Sequence, residues 1–139
     1  MAIIPPEINL WFWINEEILR WIDRPIEEIS IDELSYNLYI PYLESLWTDD
    51  WNLTPQMLID NFKYETQHAN KVKNADIKYP IEIYFFKNKR IILDWVHRFT
   101  KIMMSWAKKI QVRKISEEIL PLIKKTDAEF RKWKWEIIN

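Results

Sequence analysis

The sequence contains no glycine and nine tryptophans in 139 residues. Glycine takes a positive φ angle, or lets another group approach the backbone closely, without a steric penalty. Average usage of about 7% predicts roughly ten glycines in a chain of this length. A natural fold of this size needs several such positions. We therefore expect bulkier residues to stand where glycine is normally found.

The remaining composition is that of a single globular domain. Apolar residues make up 48% of the chain and the net charge is −1. A core is therefore expected, and there is no general attraction to DNA or to acidic membranes. The absence of cysteine excludes disulfides, thiolate zinc sites and a cysteine nucleophile. No apolar run reaches the roughly 18 residues that span a bilayer, and no secretory signal is visible. We expect a cytoplasmic protein with no membrane partner.

The stretch from Pro80 to Ile115 organises the predicted fold. Two apolar, β-rich runs at 81–86 and 91–94 flank a polar tetrapeptide and predict a β-hairpin. Apolar residues then recur at helical spacing over 96–106. The alternating residues 110–115 predict a further strand. The predicted order is strand, turn, strand, helix, strand.

Capping residues predict the helices around this unit. Asn15 is the predicted cap of a helix over 16–21. The pair Thr54-Pro55 predicts the start of a helix over 55–74. The other predicted elements are a strand at 26–29, a helix at 31–38 opened by the capping-box pair Ser30 and Glu33, a partly packed loop at 39–53, a helix from Ser116, and an edge strand or added arm at 130–138.

A phosphate site is predicted where the second hairpin strand gives way to the helix. First-turn N–H groups lack helical partners, and the helix dipole favours anions there. Arg98 is predicted to clamp the phosphate, and His97 to donate to it or to act as acid or base. Lys101 adds charge on the same helix face. Asp94 fits this scheme as a ligand of magnesium. The alternative is that Asp94 only caps the helix and Arg98 is a surface residue.

Three further features are interpreted as structural. His68 lies among polar residues and is expected to be solvated, with no metal partner at ligand spacing. Asp49 and Asp50 can bring a second acidic group to the site but fit turn chemistry better. The segment 132–135 alternates basic and aromatic residues, as some proteins that bind single-stranded nucleic acid do. With so few basic residues, a solvated edge or docking arm is favoured.

The segment Asp94-Trp95-Val96-His97-Arg98 resembles the Asp-Gly-x-His-Arg signature of the ParB/sulfiredoxin-like superfamily, which includes ParB-like nuclease domains. The strand pair before it and the helix and strand after it are also similar, over roughly residues 25–120. The resemblance implies a single α+β domain with a small mixed sheet flanked by helices. Members include cytidine-triphosphate-binding partition proteins, free-serine kinases, sulfiredoxins and proposed nucleases.

By this resemblance the turn 94–98 binds a nucleoside triphosphate, CTP or ATP, with Mg²⁺ as an additional ligand. Asp94 and His97 are the implied catalytic residues, and Val96, Arg98 and Lys101 the implied binding residues. The reaction that the resemblance implies at this turn is nucleotide hydrolysis or phosphoryl transfer. Two alternatives stay open: a nuclease or partition-type module that associates with nucleic acid without its own DNA-reading domain, and a non-catalytic interaction domain. The predicted division is an arm at 1–24, the domain at 25–124 and a tail at 125–139.

Two features depart from the family pattern. Val96 stands where sulfiredoxins carry cysteine, so sulfiredoxin chemistry is excluded. Trp95 replaces the family glycine that lets a phosphate approach the backbone, and Trp106 stands where a glycine at the helix C-terminus is expected. These positions predict that glycines have been exchanged for tryptophan, by engineering or by error, and that residues 95 and 106 have positive φ or tight backbone packing. The exchange is extended to Trp11, Trp13, Trp21 and Trp47, whereas Trp51, Trp133 and Trp135 are interpreted as native.

Overall fold

A four-stranded mixed β-sheet organises the part of the chain that the structure, a computed structural model, describes. That part comprises residues 14–44, 51–64 and 66–123, with only the backbone described at Glu44, Trp51 and Asp94. The sheet order is β1-β6-β4-β5, and β2 pairs with β3 separately. The predicted α+β class with a small mixed sheet and several helices is confirmed. In chain order the elements are α1 (Glu16–Trp21), β1 (Ile26–Ser30), two 3₁₀ helices (Ile31–Glu33 and Ser35–Tyr39), β2 (Leu43–Glu44), β3 (Trp51–Leu53), α2 (Pro55–Asp60), α3 (Thr66–Asn74), β4 (Ile81–Phe86), β5 (Lys89–Asp94), α4 (Val96–Met104), β6 (Lys109–Ile115) and α5 (Leu120–Ile123).

The hairpin β4–β5 forms as predicted, with antiparallel pairing. Its turn is shorter than the polar tetrapeptide suggested. Only Lys87 and Asn88 leave the ladder, with φ of 49° and 65°. Two positive φ angles are what a two-residue type I′ turn requires, because its twist matches that of the strands. Lys89 and Arg90 are therefore strand residues.

Helix α4 carries the chain from β5 to β6, which lies beside β4 and runs parallel to it. Strand β1 then pairs antiparallel with β6. Phe99 of α4 is fully buried, and Ile102 is nearly so. Both belong to the main core, which joins the sheet to α2, α3 and the 3₁₀ helices. Burying each such side chain stabilises the fold by about 1.5–3 kcal/mol. The packing of α4 on this core fixes the strand-to-helix junction.

The predicted helix over 55–74 is two helices, so that prediction is wrong in its middle. Thr54 caps α2 as expected, its Oγ1 accepting a hydrogen bond from the Met57 N–H at 3.0 Å. Asn61 then ends α2 with non-helical φ and ψ of −117° and 32°. Its side-chain amide donates to the Met57 carbonyl at 3.0 Å. An asparagine that bonds to nearby backbone competes with the helical ladder, and α3 begins only after the turn at 61–64.

Two other helices also differ from prediction. The 31–38 segment forms two 3₁₀ helices, and Ser30 caps the first by accepting from the Asp32 N–H at 3.4 Å instead of forming the capping box. After Ser116 the chain makes a turn, and α5 begins only at Leu120. Both segments are short, and 3₁₀ or turn geometry is common where a helix is not propagated.

Helix α1 matches its prediction, with Asn15 Oδ1 accepting from the Ile18 N–H at 3.1 Å. It packs against α5 and the end of β6 in a second apolar cluster. The Asn15 N–H donates to the Ile123 carbonyl at 2.6 Å. Arg113 of β6 donates through Nη2 to the carbonyls of Leu19, at 3.3 Å, and of Ile22. These contacts fix α1 against the sheet.

The outer edge of β5 is covered by side chains from the segment before β2. Tyr36 and Asn37 both donate to the Arg90 carbonyl, Asn37 at 3.0 Å. The Ile92 N–H donates to the Tyr42 hydroxyl at 2.9 Å, and that hydroxyl donates to Asn37 Oδ1. Burial raises the pKa of the Tyr42 hydroxyl. The segment 39–53 is thus partly packed, as expected, but it is not only a loop, because it contains the paired strands β2 and β3.

Several predictions lie outside the described residues. They concern the arm before residue 14, the turn at Asp49-Asp50, the tail at 130–138, and Trp11, Trp13, Trp47, Trp133 and Trp135. Among the helices that are described, none has both the length and the apolar character that a membrane crossing needs.

Candidate functional site

Trp95 makes the turn from β5 into α4 in the left-handed conformation, with φ 73° and ψ 39°. That conformation costs about 1–2 kcal/mol for a residue with a Cβ, whereas glycine adopts it freely. Trp95 occupies the N-cap position and makes no side-chain capping bond. Trp95, and not Asp94, is thus the N-cap residue of α4, and Asp94 is the last residue of β5.

Trp106 repeats this conformation at the other end of α4, with φ 61°. The helix ends with Ser105 as its C-cap, and the Trp106 N–H donates to the Met103 carbonyl at 3.2 Å. A left-handed residue just after a C-cap is most often glycine. The Trp106 indole is 91% exposed, so its side chain gains little from burial. The prediction of positive φ is confirmed at both tryptophans.

Arg98 is a buried residue in the first turn of α4, with 8% of its surface exposed. The alternative that placed it on the surface is wrong. Its Nη1 donates to the Pro80 carbonyl at 2.9 Å. Its guanidinium carbon lies 4.2 Å from the centroid of the Trp95 ring and 5.5 Å from that of Tyr79. A second guanidinium, that of Arg20 on α1, lies 5.0 Å from the same Trp95 ring.

A cavity of about 430 Å³ surrounds these groups, and we call it the arginine cleft. The carboxylate of Glu82 in this cleft is bonded to Arg113, with Nη1 and Oε1 3.1 Å apart and both side chains buried. Glu82 therefore matches the charge of Arg113, which also holds α1. The cleft is lined by Arg20, Tyr79, Pro80, Glu82, Trp95, Arg98 and Arg113.

A second cavity of about 670 Å³ lies on the other flank of the junction, and we call it the histidine cleft. Its lining includes Val96, His97 and Lys71, and it shares Trp95 and Arg98 with the arginine cleft. Two of the predicted binding residues, Val96 and Arg98, therefore lie with His97 around one junction. The Trp95 side chain lies at the boundary between the two clefts.

His97 has a partner that sequence reasoning missed. Its Nε2 lies 2.9 Å from Nδ1 of His68 on α3, and the two rings are stacked with centroids 5.2 Å apart. Burial, followed by the charges of His68 and Lys71, lowers the pKa of His97 to about 4. The His97 ring is thus neutral at pH 7, and one of the two facing nitrogens carries the shared proton. The interpretation of His68 as a solvated side chain is wrong.

Lys101 bonds to the end of helix α3 and not to the predicted phosphate site. Its ammonium group donates to the carbonyls of Lys73 and Ala75, each at 2.8 Å. These carbonyls lie at the C-terminal end of α3, where a cation satisfies acceptors that the helix leaves unpaired. Lys101 is not among the residues that line either cleft. The structure therefore brings together Val96, His97 and Arg98 but directs Lys101 to α3.

Arg20 and His68 are among the residues that sequence reasoning did not place in the site. Both reach it from helices distant in sequence, and no spacing rule connects them to the turn 94–98. For His68 the only signal was its position four residues before Val72, which is buried on α3. Among the described side chains no group of three or more His, Asp or Glu residues is arranged to hold a metal ion.

Comparison of the chain with protein-family models, with curated proteins and with solved structures gives no match.

Proposed function

We propose that this chain is a nucleotide-binding domain of the ParB/sulfiredoxin-like type, with its phosphate site at the turn 94–98. The observation that carries the proposal is the left-handed residue between β5 and α4, at the position where the family signature has glycine. Val96, a neutral His97 and a buried Arg98 follow it in the first turn of α4. A strand, a left-handed turn and a helix N-terminus with an arginine together form a phosphate-binding arrangement.

The tryptophan at position 95 does not fit a bound phosphate. Its indole lies against the Arg98 guanidinium, where an anion would have to lie. A glycine at 95 would keep the backbone conformation and free that space. The first-turn N–H groups of Val96 and His97 would then face the anion, and Arg98 would supply the charge. The proposed ligand is a nucleoside triphosphate, CTP or ATP, with Asp94 as the magnesium ligand.

The test is nucleotide binding by Trp95→Gly compared with the unmodified chain. Titration calorimetry with CTP and ATP, with and without magnesium, should show binding by Trp95→Gly and little or none by the unmodified chain. Trp106→Gly is the matched control, because it makes the same exchange at the other end of α4 and should gain no binding. Adding Arg98→Ala to Trp95→Gly should remove the binding.

A folded Trp95→Gly protein that binds neither nucleotide would contradict the proposal. A single-stranded oligonucleotide is the second ligand in the same experiment. Binding to the oligonucleotide alone, with a strong dependence on salt, would favour the nucleic-acid-associated alternative.

A further inference from the structure

Arg20 lies outside the span of the family resemblance, yet its guanidinium lies in the arginine cleft. Helix α1 places Arg20 there, and α1 is itself held by apolar packing and by hydrogen bonds. Its neighbour Leu19 is fully buried, and the Leu19 carbonyl accepts from Arg113 at 3.3 Å. Arg20 itself is an exposed residue, so its side chain can reach a ligand and can be replaced without opening a core cavity.

Three of the side chains that line the arginine cleft are arginines. Glu82 is bonded to Arg113. The guanidinium groups of Arg20 and Arg98 both lie against the Trp95 ring, at 5.0 and 4.2 Å from its centroid. The π face of an indole attracts each cation by about 0.5–2 kcal/mol. Phosphate oxygens bind a guanidinium more strongly, through charge-assisted and often bidentate hydrogen bonds. The ring therefore occupies a place that suits an anion better.

We propose that Arg20 is a phosphate-binding residue of this site, and that the Arg20–Arg98 pair takes two successive phosphates of a nucleoside di- or triphosphate. This rests on the proposed function. Arg98, in the first turn of α4, binds the phosphate at the helix N-terminus. Arg20 binds the next phosphate, in the space that the indole of Trp95 fills. Two guanidinium groups on separate elements suit a polyphosphate, whereas a monophosphate needs only the one at α4.

The experiment compares Trp95→Gly with Trp95→Gly/Arg20→Ala, using CTP, CDP and CMP and the same series of adenine nucleotides. The loss of one charge-assisted contact should weaken di- and triphosphate binding at least about tenfold. Monophosphate binding should change less than about twofold. Arg20→Lys keeps the charge but not the planar fork, so its affinity should be intermediate.

Lys78→Ala in the same background is the matched control for loss of a positive charge. Lys78 is near the cleft in sequence but is exposed and does not line it. Its loss should change the affinity less than about twofold because an exposed charge is screened. If Trp95→Gly binds triphosphate equally well with and without Arg20, the Arg20 proposal is overturned and the proposed function stands. If Trp95→Gly binds no nucleotide, both are overturned.

A second inference rests on composition and backbone, independently of the cleft. The chain has no glycine and nine tryptophans, and Trp95 and Trp106 both adopt the left-handed conformation. Independent substitutions would not be expected to leave the chain without glycine and with tryptophan at both left-handed ends of α4. We infer that positions 95 and 106 are glycine in the protein that its own cell makes. A gene in which the codon UGA specifies glycine gives this sequence when UGA is read as tryptophan.

The test is the codon at each tryptophan position, together with peptide masses from the natural source. UGA at codons 95 and 106, and peptides whose masses contain glycine there, are the expected results. The tryptophan codon UGG at both positions, or tryptophan in the peptides, would overturn the inference.

Discussion

The two ends of α4 carry the same backbone conformation in different surroundings. At its N-terminus Trp95 has φ 73°, and its half-buried ring contacts two arginines. At its C-terminus Trp106 has φ 61°, and its ring is almost entirely exposed. The shared φ shows that the backbone of both turns is set by the fold and not by the side chain. Of the two positions, only 95 lies at the junction for which the phosphate site is proposed.

Removing Arg98 should give the largest effect at the N-terminal end. Arg98→Ala deletes a buried guanidinium, its hydrogen bond to the Pro80 carbonyl and its contact with Trp95. We expect a loss of about 2–3 kcal/mol in the free energy of unfolding, measured by urea denaturation. Arg90→Ala is the control, because its ion pair with Glu33 is partly exposed and should contribute less than about 1 kcal/mol. Equal losses would mean that burial of Arg98 does not stabilise this end.

Replacing both tryptophans by glycine should stabilise the protein. Each exchange removes the cost of a left-handed residue with a Cβ, and the expected gain for Trp95→Gly/Trp106→Gly is about 1–2 kcal/mol. The gain at 95 should be the smaller one, because the ring there loses its contacts with Arg20 and Arg98. The sites are separated by the whole of α4, so the single effects should add. A double variant less stable than the unmodified chain would show that the indoles outweigh backbone strain.

Lowering the pH should reduce the stability of the folded protein through His97, which lies at the N-terminal end of α4. Its pKa is about 4 in the folded protein and about 6.5 in an unfolded chain. Between these values the unfolded chain takes up a proton that the folded protein does not, so stability falls as the pH drops from 6.5 to 4. Above pH 6.5 the histidine contributes no pH dependence. We expect a loss of about 1–2 kcal/mol, allowing for solvent screening of a half-buried ring.

Urea denaturation at a series of pH values measures this loss. Carboxylates also titrate in part of the pH range, so the contribution of His97 is taken from the difference between variants. His97→Gln should remove the His97 share of the slope. Trp106→Gly should leave the slope unchanged, because the C-terminal end of α4 lies away from the histidine pair. A slope that His97→Gln does not alter would contradict the role of His97.

The smallest effect is expected at Trp106, where two substitutions distinguish the cost of backbone strain from the cost of the exposed indole. Trp106→Gly should raise stability by about 1 kcal/mol. Trp106→Ala removes the same exposed indole but keeps a Cβ in the left-handed region, so it should give much less. Equal gains from the two substitutions would assign the penalty at 106 to the exposed ring.

The features predicted well from the sequence are those set by neighbours in the chain. Asn15 and Thr54 predict where α1 and α2 begin, because the side chain of a cap residue accepts a hydrogen bond from the N–H three residues ahead. The hairpin, α4 and β6 follow from alternation and helical spacing. The positive φ at Trp95 was expected from the glycine of the family signature, and that at Trp106 from the glycine usual at a helix end.

The features that were missed depend on contacts between distant segments. Arg20 reaches Trp95 only because Arg113 and α5 hold α1 in place. His68 meets His97 only because α3 packs on α4. Lys101 was expected at the phosphate, but the end of α3 lies nearer to it. The break at 61–64 arose from competition by the Asn61 side chain, which periodicity does not register.

The hydrogen bonds along β5 determine how this sheet can meet another chain. An edge strand normally offers free N–H and C=O groups on which a foreign strand can add, which is a route to polymerisation. Here the Arg90 carbonyl and the Ile92 N–H are already occupied by Tyr36, Asn37 and Tyr42. An incoming strand would have to displace a buried tyrosine to pair there. The hairpin that leads into the candidate site is thus protected against growth of the sheet on that side.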